Sequence, residues 1–352
     1  MRSLAEVQSE QVEPAVLAVV CVAMGAVLLG SLALRRWLGP GRQPTLRACA
    51  ATPWCTGSAR HDATRQAGLL WFRLGVVAWM TYRLTCFFEE PLISGKPVTP
   101  ARKNSFFTVW NYELQIVLWI VALGSSLLYR QVQPQDVRDI RQVEAVDWGP
   151  LFAEREGGAS HVHRLNRLSS GVAWAHHLLL SVCLPSAVLV SIVLWTILYP
   201  ADLAKGHGDR ELNFASFNQH AINTALLLLD FSANQLLVTA QLLYLSLAWA
   251  CAYVVFTWIE HIWTGIWPYF FLDLSGWMAI VWYGLLVLTY AIVFFAVVAA
   301  SHLKARAFGL TPGRIENTVT ASQLPLRVSQ TRRTDLGEES GTRAAEHVVE
   351  PL

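Results

Sequence analysis

The chain has 352 residues, of which 54% are hydrophobic and only 15% are charged, and its formal net charge is +2. Soluble domains carry about a quarter charged residues, so this composition excludes an ordinary globular protein. The small net charge and the lack of any block of Lys or Arg argue against a nucleic-acid partner. We therefore expect an all-α protein whose main partner is the lipid bilayer.

Apolar segments of membrane-spanning length recur along the chain. A transmembrane helix needs roughly 20 apolar residues. The seven candidates are residues 14–34, 66–88, 106–129, 172–199, 214–232, 236–258 and 277–300. This pattern predicts a polytopic helical membrane protein of about seven transmembrane helices. Residues 232–236 are expected to form a tight turn between the fifth and sixth of them.

Composition divides the chain into three parts. Residues 1–65 contain an extra N-terminal transmembrane helix and a basic loop, and their acidic leader is unlike the basic start of a cleavable signal peptide. Residues 66–305 contain the other six apolar segments and are expected to form a six-span membrane domain. Residues 306–352 are polar without an apolar period, which predicts a disordered cytosolic tail.

Basic residues predict the orientation in the membrane. Of the 27 Lys and Arg residues, 19 fall in the loop 35–65, the loop 130–171 and the tail after 300, and only 6 fall in the segments on the other side. Cytoplasmic segments carry the excess of basic residues, so we expect the N-terminus outside and the C-terminus inside. The membrane is either the plasma membrane or an endomembrane. The loop 130–171 is expected to be solvated, with short helical pieces.

Polar side chains inside the predicted spans divide by depth into two groups. A charge at the bilayer centre costs several kcal/mol on insertion scales, so such residues are usually paired or functional. The group near the outer face comprises Arg83, Thr108, Asn111, Glu113, Gln115, Ser216, Asn218, Gln219, His220 and Asn223. The group near the inner face comprises Arg73, His176, His177 and Asp230.

The charged members of these groups are most simply structural. We expect ion pairs between Arg83 and Glu113 and between Arg73 and Asp230, because pairing makes the burial of charge tolerable. Glu113 is turned away from Thr108 by about 140° on a helix of 3.6 residues per turn, which favours Arg83 as its partner. His176 and His177 are expected to lie at the inner membrane interface rather than to act as ligands.

Thr108 and His220 are predicted at similar depth, each within about two helical turns of the outer end of its span. Their side chains can meet if the third and fifth spans pack together. A threonine near a helix start also occurs as an ordinary capping or back-bonding residue. A histidine in a span also occurs as a structural bridge between helices. The residues alone leave these readings open.

Three short motifs occur in a fixed order along the chain. They are FFTVWN at 106–111, HAIN at 220–223 followed by a leucine run and Asp230, and WPYFFLD at 267–273. Their order and separation resemble the rolling stone-like membrane proteins. They are also similar to the related androgen-induced family of six-span threonine hydrolases, which cleave fatty-acid esters of hydroxy fatty acids. The resemblance covers roughly residues 66–305.

This resemblance implies a hydrolase of lipid carboxylic esters in which Thr108 is the nucleophile and His220 its partner. A threonine hydroxyl is a weak nucleophile and needs an adjacent base, and histidine is the usual choice. Asn111, Asn218 and Asn223 are candidates to stabilise the oxyanion or to orient the pair.

Other functions are compatible with the same residues. The alternative is a non-enzymatic rolling stone-like protein with a structural, lipid-binding or cell-fusion role. A haem or metal redox protein is disfavoured, because the predicted depths separate His176 and His177 from His220. No cofactor and no metal ion are expected.

Overall fold

A computed structural model of the protein describes residues 14–39, 44–51, 59–89, 92–93, 96–97, 99–143, 156–208 and 212–310. Within these ranges the regular secondary structure is helical, apart from one antiparallel pair of two-residue strands, β1 (Leu92–Ile93) and β2 (Lys96–Pro97). The predicted disordered tail lies outside the described residues from position 311 onward.

The helices fall in two halves of the chain. The first half contains α1 (Pro14–Leu38), α2 (Leu46–Ala50), α3 (Ala59–Glu89), α4 (Pro100–Lys103), α5 (Phe107–Val143) and α6 (Glu156–Val193). The second half contains a π-helical turn (Leu194–Leu198), α7 (Tyr199–Ala204), α8 (Phe214–Phe217), a second π-helical turn (Asn218–Ile222), α9 (Asn223–Ala233), a 3-10 turn (Ala240–Leu242), α10 (Leu243–Thr264), another 3-10 turn (Phe270–Leu272) and α11 (Met278–Ala307).

The described chain contains 5 helical stretches that are long and apolar enough to cross a membrane. They are Pro14–Leu38, Phe107–Arg130, Arg167–Ala204, Ala240–Thr264 and Met278–Ala307. The predicted all-α class is confirmed, and the architecture is compatible with an integral membrane protein. The other two predicted spans, 66–88 and 214–232, are also helical, in α3 and in the run from α8 to α9. The total of seven spans and the orientation stay predictions.

The connection between α9 and α10 differs from the predicted tight turn. Residues 235–239 are not helical, so the sixth helical stretch starts at Ala240 rather than at 236. Side chains bind the backbone of this connection: the amide of Leu236 donates to Asn234 Oδ1 at 2.9 Å. The amide of Val238 donates to Ser301 Oγ at 3.0 Å. These bonds satisfy peptide groups that a helix would otherwise pair.

The predicted loop 130–171 also differs from the structure. Helix α5 continues to Val143 and α6 begins at Glu156, so most of this charged segment extends the two neighbouring helices. Polar residues are compatible with helix wherever the chain leaves an apolar environment, and hydropathy alone therefore underestimates helix length.

Helix α6 lies at the centre of the helical bundle. It packs against α2, α5, α9, α10 and α11. Small residues on α6 allow close approach of these neighbours, as is common between membrane helices. Ser246 Oγ donates a hydrogen bond to the carbonyl of Ser181 at 2.8 Å. Ser186 Oγ lies 2.7 Å from the hydroxyl of Tyr290. The core around α6 is continuous with the site described below.

Candidate functional site

A cavity of about 110 Å³ lies between α5, α6, α10, α11 and the π-helical turn Asn218–Ile222. Its walls are aliphatic and aromatic, including Leu189, Val193 and Phe107. Thr108 and His220 both line it. The two residues that were predicted at similar depth therefore line the same cavity.

His220 belongs to the π-helical turn between α8 and α9. Such turns are rare and occur frequently at functional sites. The side chain is 7% exposed, and its Nδ1 atom is buried without a hydrogen-bond partner. Its backbone is held from α6, because Ser191 Oγ lies 3.0 Å from the carbonyl oxygen of His220. The backbone is fixed while the ring nitrogen is left available.

Thr108 lies in the first turn of α5 and is half-buried. Among the described residues its hydroxyl forms no hydrogen bond, either to the backbone or to His220. The capping and back-bonding roles considered for this residue are therefore not seen. Thr108 and His220 line one cavity, and in the described part of the chain no hydrogen bond joins them.

The asparagine candidates do not line this cavity. Asn111 Nδ2 donates to the carbonyl of Phe107 at 3.0 Å, and its Oδ1 accepts from Trp249 Nε1 at 3.0 Å. Asn223 Nδ2 donates to the carbonyl of Gln219 at 3.3 Å. Asn111 thus ties α5 to α10, which is a structural role.

Asn218 is similarly committed to helix packing. Its Oδ1 accepts from Trp79 Nε1 at 2.9 Å, and its Nδ2 donates to the hydroxyl of Tyr112 at 3.1 Å. These bonds join the π-helical turn to α3 and α5. None of the three asparagines is among the residues that line the cavity, and their role toward an oxyanion stays a prediction.

The expected Arg83–Glu113 ion pair is not present among the described residues. The guanidinium of Arg83 instead lies over the ring of Phe214, 4.8 Å from its centroid. Glu113 is half-buried on α5. Arg83 therefore has an aromatic ring at the start of α8, rather than a carboxylate, as its partner.

The expected Arg73–Asp230 ion pair is present and fully buried. Arg73 Nε lies 2.7 Å from Asp230 Oδ1, and Nη2 lies 3.2 Å from Oδ2. Nη1 donates to the carbonyl of Ala122 at 2.9 Å and to Ser126 Oγ at 2.8 Å. Both charges therefore have hydrogen bonds in addition to each other, which the burial of a pair requires.

Lys304 extends this ion pair and was not among the residues predicted from the sequence. Its Nζ donates to the carbonyl of Phe231, to the carbonyl of Leu236 at 2.9 Å and to Asn234 Oδ1 at 3.3 Å. Asn234 Nδ2 in turn donates to Asp230 Oδ2 at 2.9 Å. Lys304 thus binds carbonyls at and beyond the C-terminal end of α9, where a cation is favourable.

His176 and His177 are buried within the bundle, at 0% and 5% exposure, and their location at the inner membrane interface stays a prediction. They point inward because α6 is surrounded by other helices. His176 Nε2 lies 3.9 Å from Asp230 Oδ2, and His177 Nε2 lies 2.9 Å from the carbonyl of Leu237. Within the described residues, no group of three or more His, Cys, Asp or Glu side chains is arranged to hold a metal ion.

Comparison with protein-family models, with curated proteins and with solved structures gave no match. The resemblance to rolling stone-like proteins therefore rests on the three sequence motifs alone. Function has to be argued from the cavity and the side chains that line it.

Proposed function

We propose that this chain is an integral membrane protein that binds a lipid carboxylic ester and hydrolyses it with Thr108 as nucleophile and His220 as base. One observation carries the proposal: both side chains line the same apolar cavity, and neither uses its reactive atom in a hydrogen bond to another described residue. Buried polar groups normally have partners. His220 Nδ1 is buried and lacks a partner, and it is therefore available to a ligand in the cavity that Thr108 also lines.

The reaction follows from the chemistry of the two side chains. His220 accepts the proton of Thr108, Oγ1 attacks the ester carbonyl carbon, and the alcohol leaves with the proton that His220 held. A water molecule, deprotonated by His220, then attacks the acyl-threonine; the acid is released, and His220 returns the proton to Oγ1 of Thr108. The lack of a hydrogen bond between the two described side chains is compatible with this reaction, because catalytic hydrogen bonds are often long before substrate binds. The apolar walls suit an acyl chain.

A second function is favoured by a different observation. Asn111, Asn218 and Asn223 all hydrogen-bond within or between helices, so none of the predicted oxyanion donors lines the cavity. A cavity without such a donor is suited to binding a lipid without turning it over. This second candidate is a non-enzymatic lipid-binding membrane protein.

Labelling with a fluorophosphonate probe separates the two functions. The purified protein, Thr108→Ala and the control Thr289→Ala are compared; Thr289 is matched because its hydroxyl bonds to the carbonyl of Leu285 at 2.8 Å, outside the cavity. The hydrolase predicts labelling of the wild type and of the control, but not of Thr108→Ala. Equal labelling of all three overturns Thr108 as nucleophile. Saturable lipid binding without any labelling favours the second function.

A further inference from the structure

A second polar cluster lies at the end of α10, and we name it the Glu260 cluster. It comprises Arg102, Ser105, Glu260, His261 and Trp267. Arg102 Nη1 lies 3.5 Å from Glu260 Oε1, and Ser105 Oγ donates to the same oxygen. Arg102 Nη2 also donates to the carbonyl of Trp267 at 3.4 Å. Arg102 therefore connects the end of α10 to the segment that follows it.

The chain reverses within this cluster. Helix α10 ends at Thr264, and Gly265 adopts a left-handed conformation with φ 66°. The turn brings the ring of Trp267 back onto the ring of His261, with centroids 3.9 Å apart and an angle of 10° between the planes. Stacking holds both rings in place, so their ring nitrogens have defined positions.

Four buried polar atoms of the cluster have no hydrogen-bond partner: Arg102 Nη1, Glu260 Oε2, His261 Nδ1 and Trp267 Nε1. Arg102 Nη1 still has the carboxylate of Glu260 as its ion-pair partner at 3.5 Å, so the other three are the atoms left without any partner. His261 itself is only 9% exposed. Glu260 Oε2 accepts, Trp267 Nε1 donates, and His261 Nδ1 does either according to its tautomer. Because leaving buried polar atoms unpaired is costly, three of them in one cluster indicate a ligand that both donates and accepts hydrogen bonds.

The cluster adjoins the cavity that holds Thr108 and His220. Tyr253 connects them, because its ring lines the cavity and its hydroxyl donates to the carbonyl of Ser105 at 2.8 Å. Tyr269, two residues after Trp267, also lines the cavity. An amphiphile with its chain in the cavity would therefore have its polar end beside the Glu260 cluster.

The charge of the Glu260 cluster further restricts which polar headgroups it can bind. Arg102 and Glu260 form an ion pair and together carry no net charge. A phosphate or a carboxylate would meet the free oxygen of Glu260 and be repelled. Hydroxyl groups, which donate and accept without charge, match the three unpaired atoms.

We propose that the Glu260 cluster binds the neutral, hydroxyl-bearing headgroup of a lipid whose acyl chain occupies the cavity, with a monoacylglycerol as the chemical class. This inference rests on the proposed function in one respect, that the cavity holds a lipid acyl chain. It does not depend on attack by Thr108.

The test is equilibrium binding of radiolabelled 1-monooleoylglycerol and of methyl oleate to the purified full-length protein in detergent micelles. Methyl oleate has the same acyl chain and no hydroxyl group. Trp267→Phe removes the unpaired N–H and keeps an aromatic ring for the stack. Trp263→Phe is the matched control, because Trp263 is 85% exposed on the same segment.

The wild type and Trp263→Phe should bind 1-monooleoylglycerol more tightly than methyl oleate. Trp267→Phe should lose about fivefold in affinity for 1-monooleoylglycerol, the equivalent of one hydrogen bond, and bind methyl oleate unchanged. Equal affinity of the wild type for both ligands overturns the proposal and needs no variant. So does unchanged binding of 1-monooleoylglycerol by a folded Trp267→Phe protein. Because binding is read without turnover, absence of probe labelling at Thr108 rejects the hydrolase and leaves this result intact.

Discussion

Arg73 Nε and Asp230 Oδ1 lie 2.7 Å apart, although 157 positions separate the two residues in sequence. This contact joins α3 to α9. Both side chains are buried, and Asp230 also accepts from Asn234 at 2.9 Å. The ion pair is therefore the centre of a hydrogen-bonded network rather than an isolated surface contact, and its loss should affect the whole fold.

Asp230→Ala should destabilise the protein by about 3–5 kcal/mol, because it leaves the guanidinium of Arg73 buried and unpaired. The double variant Arg73→Met with Asp230→Leu should recover most of that loss, since it removes both charges. Thermal unfolding in a single detergent measures the difference. Arg36→Met, at an exposed position on α1, is the control and should change stability by no more than about 0.5 kcal/mol. A double variant as unstable as Asp230→Ala would contradict this account.

Lys304→Met should cost about 1–3 kcal/mol, because the carbonyls of Phe231 and Leu236 lose their charged donor. The loss should be local to the α9 C-terminus. Hydrogen exchange followed by mass spectrometry should therefore show faster exchange in residues 228–240 than elsewhere. Arg306→Met, two residues further along α11 and exposed, provides the comparison. If residues 228–240 exchange no faster in Lys304→Met than in Arg306→Met, Lys304 does not hold this connection.

The sequence allowed Thr108 and His220 to be placed at one end of the bundle. Depth in a membrane helix follows directly from the distance to the end of an apolar segment, and that distance is readable from hydropathy. The same reasoning paired Arg73 with Asp230. It gave no information on which neighbouring helix each side chain faces, because that depends on how the helices pack around one another. Arg83 accordingly lies against Phe214 rather than Glu113.

Three other features could not be predicted from the sequence, and each has a physical reason: the role of Lys304, the π-helical turn at His220 and the partners of two asparagines. Lys304 lies beyond the predicted end of the last span at 300, so its charge was assigned to the tail. The π-helical turn at His220 depends on contacts such as the one from Ser191, which is 29 positions away. Asn111 and Asn218 are occupied by the indole N–H groups of Trp249 and Trp79, and these partners come from other helices.

Cys49 should be unreactive toward N-ethylmaleimide in the folded protein. Burial raises the pKa of its thiol from 9.0 to about 12, with nearby Arg73 only partly opposing the shift. At pH 9, about half of ordinary thiols are ionised, whereas only about one in a thousand would be at this raised pKa. Peptide mapping should find Cys49 modified only after unfolding in SDS. Rapid modification without SDS would mean that α2 does not stay docked.

The same shift in the pKa of Cys49 has a defined effect on stability. A pKa raised by folding means that the unfolded chain releases the proton first. The neutral thiol therefore makes its full contribution to the free energy of unfolding below pH 9.0, and this contribution is lost as pH rises toward about 12. Cys49→Ala should unfold with a shallower loss of stability across this pH range than the wild type. Parallel profiles would contradict the assignment.

Gly265→Ala should cost about 1–2 kcal/mol, because a side chain at φ 66° clashes with its own backbone whatever the surrounding space. The space itself is open, since a Cβ at Gly265 would meet nothing within 4 Å. Backbone strain is therefore the whole effect. Gly284→Ala in α11 also meets nothing within 4 Å but lacks the positive φ, and it should be neutral or stabilising by up to about 1 kcal/mol.

The strain at Gly265 should also reach the Glu260 cluster. The left-handed turn positions Trp267 on His261, so opening it should expose the indole ring. Acrylamide quenching of tryptophan fluorescence should increase in Gly265→Ala but not in Gly284→Ala. Subtracting the signal of a Trp267→Phe background isolates the one indole that is expected to move. If Gly265→Ala loses stability while Trp267 stays protected, the stack forms without the turn, and the affinity for 1-monooleoylglycerol should survive the substitution.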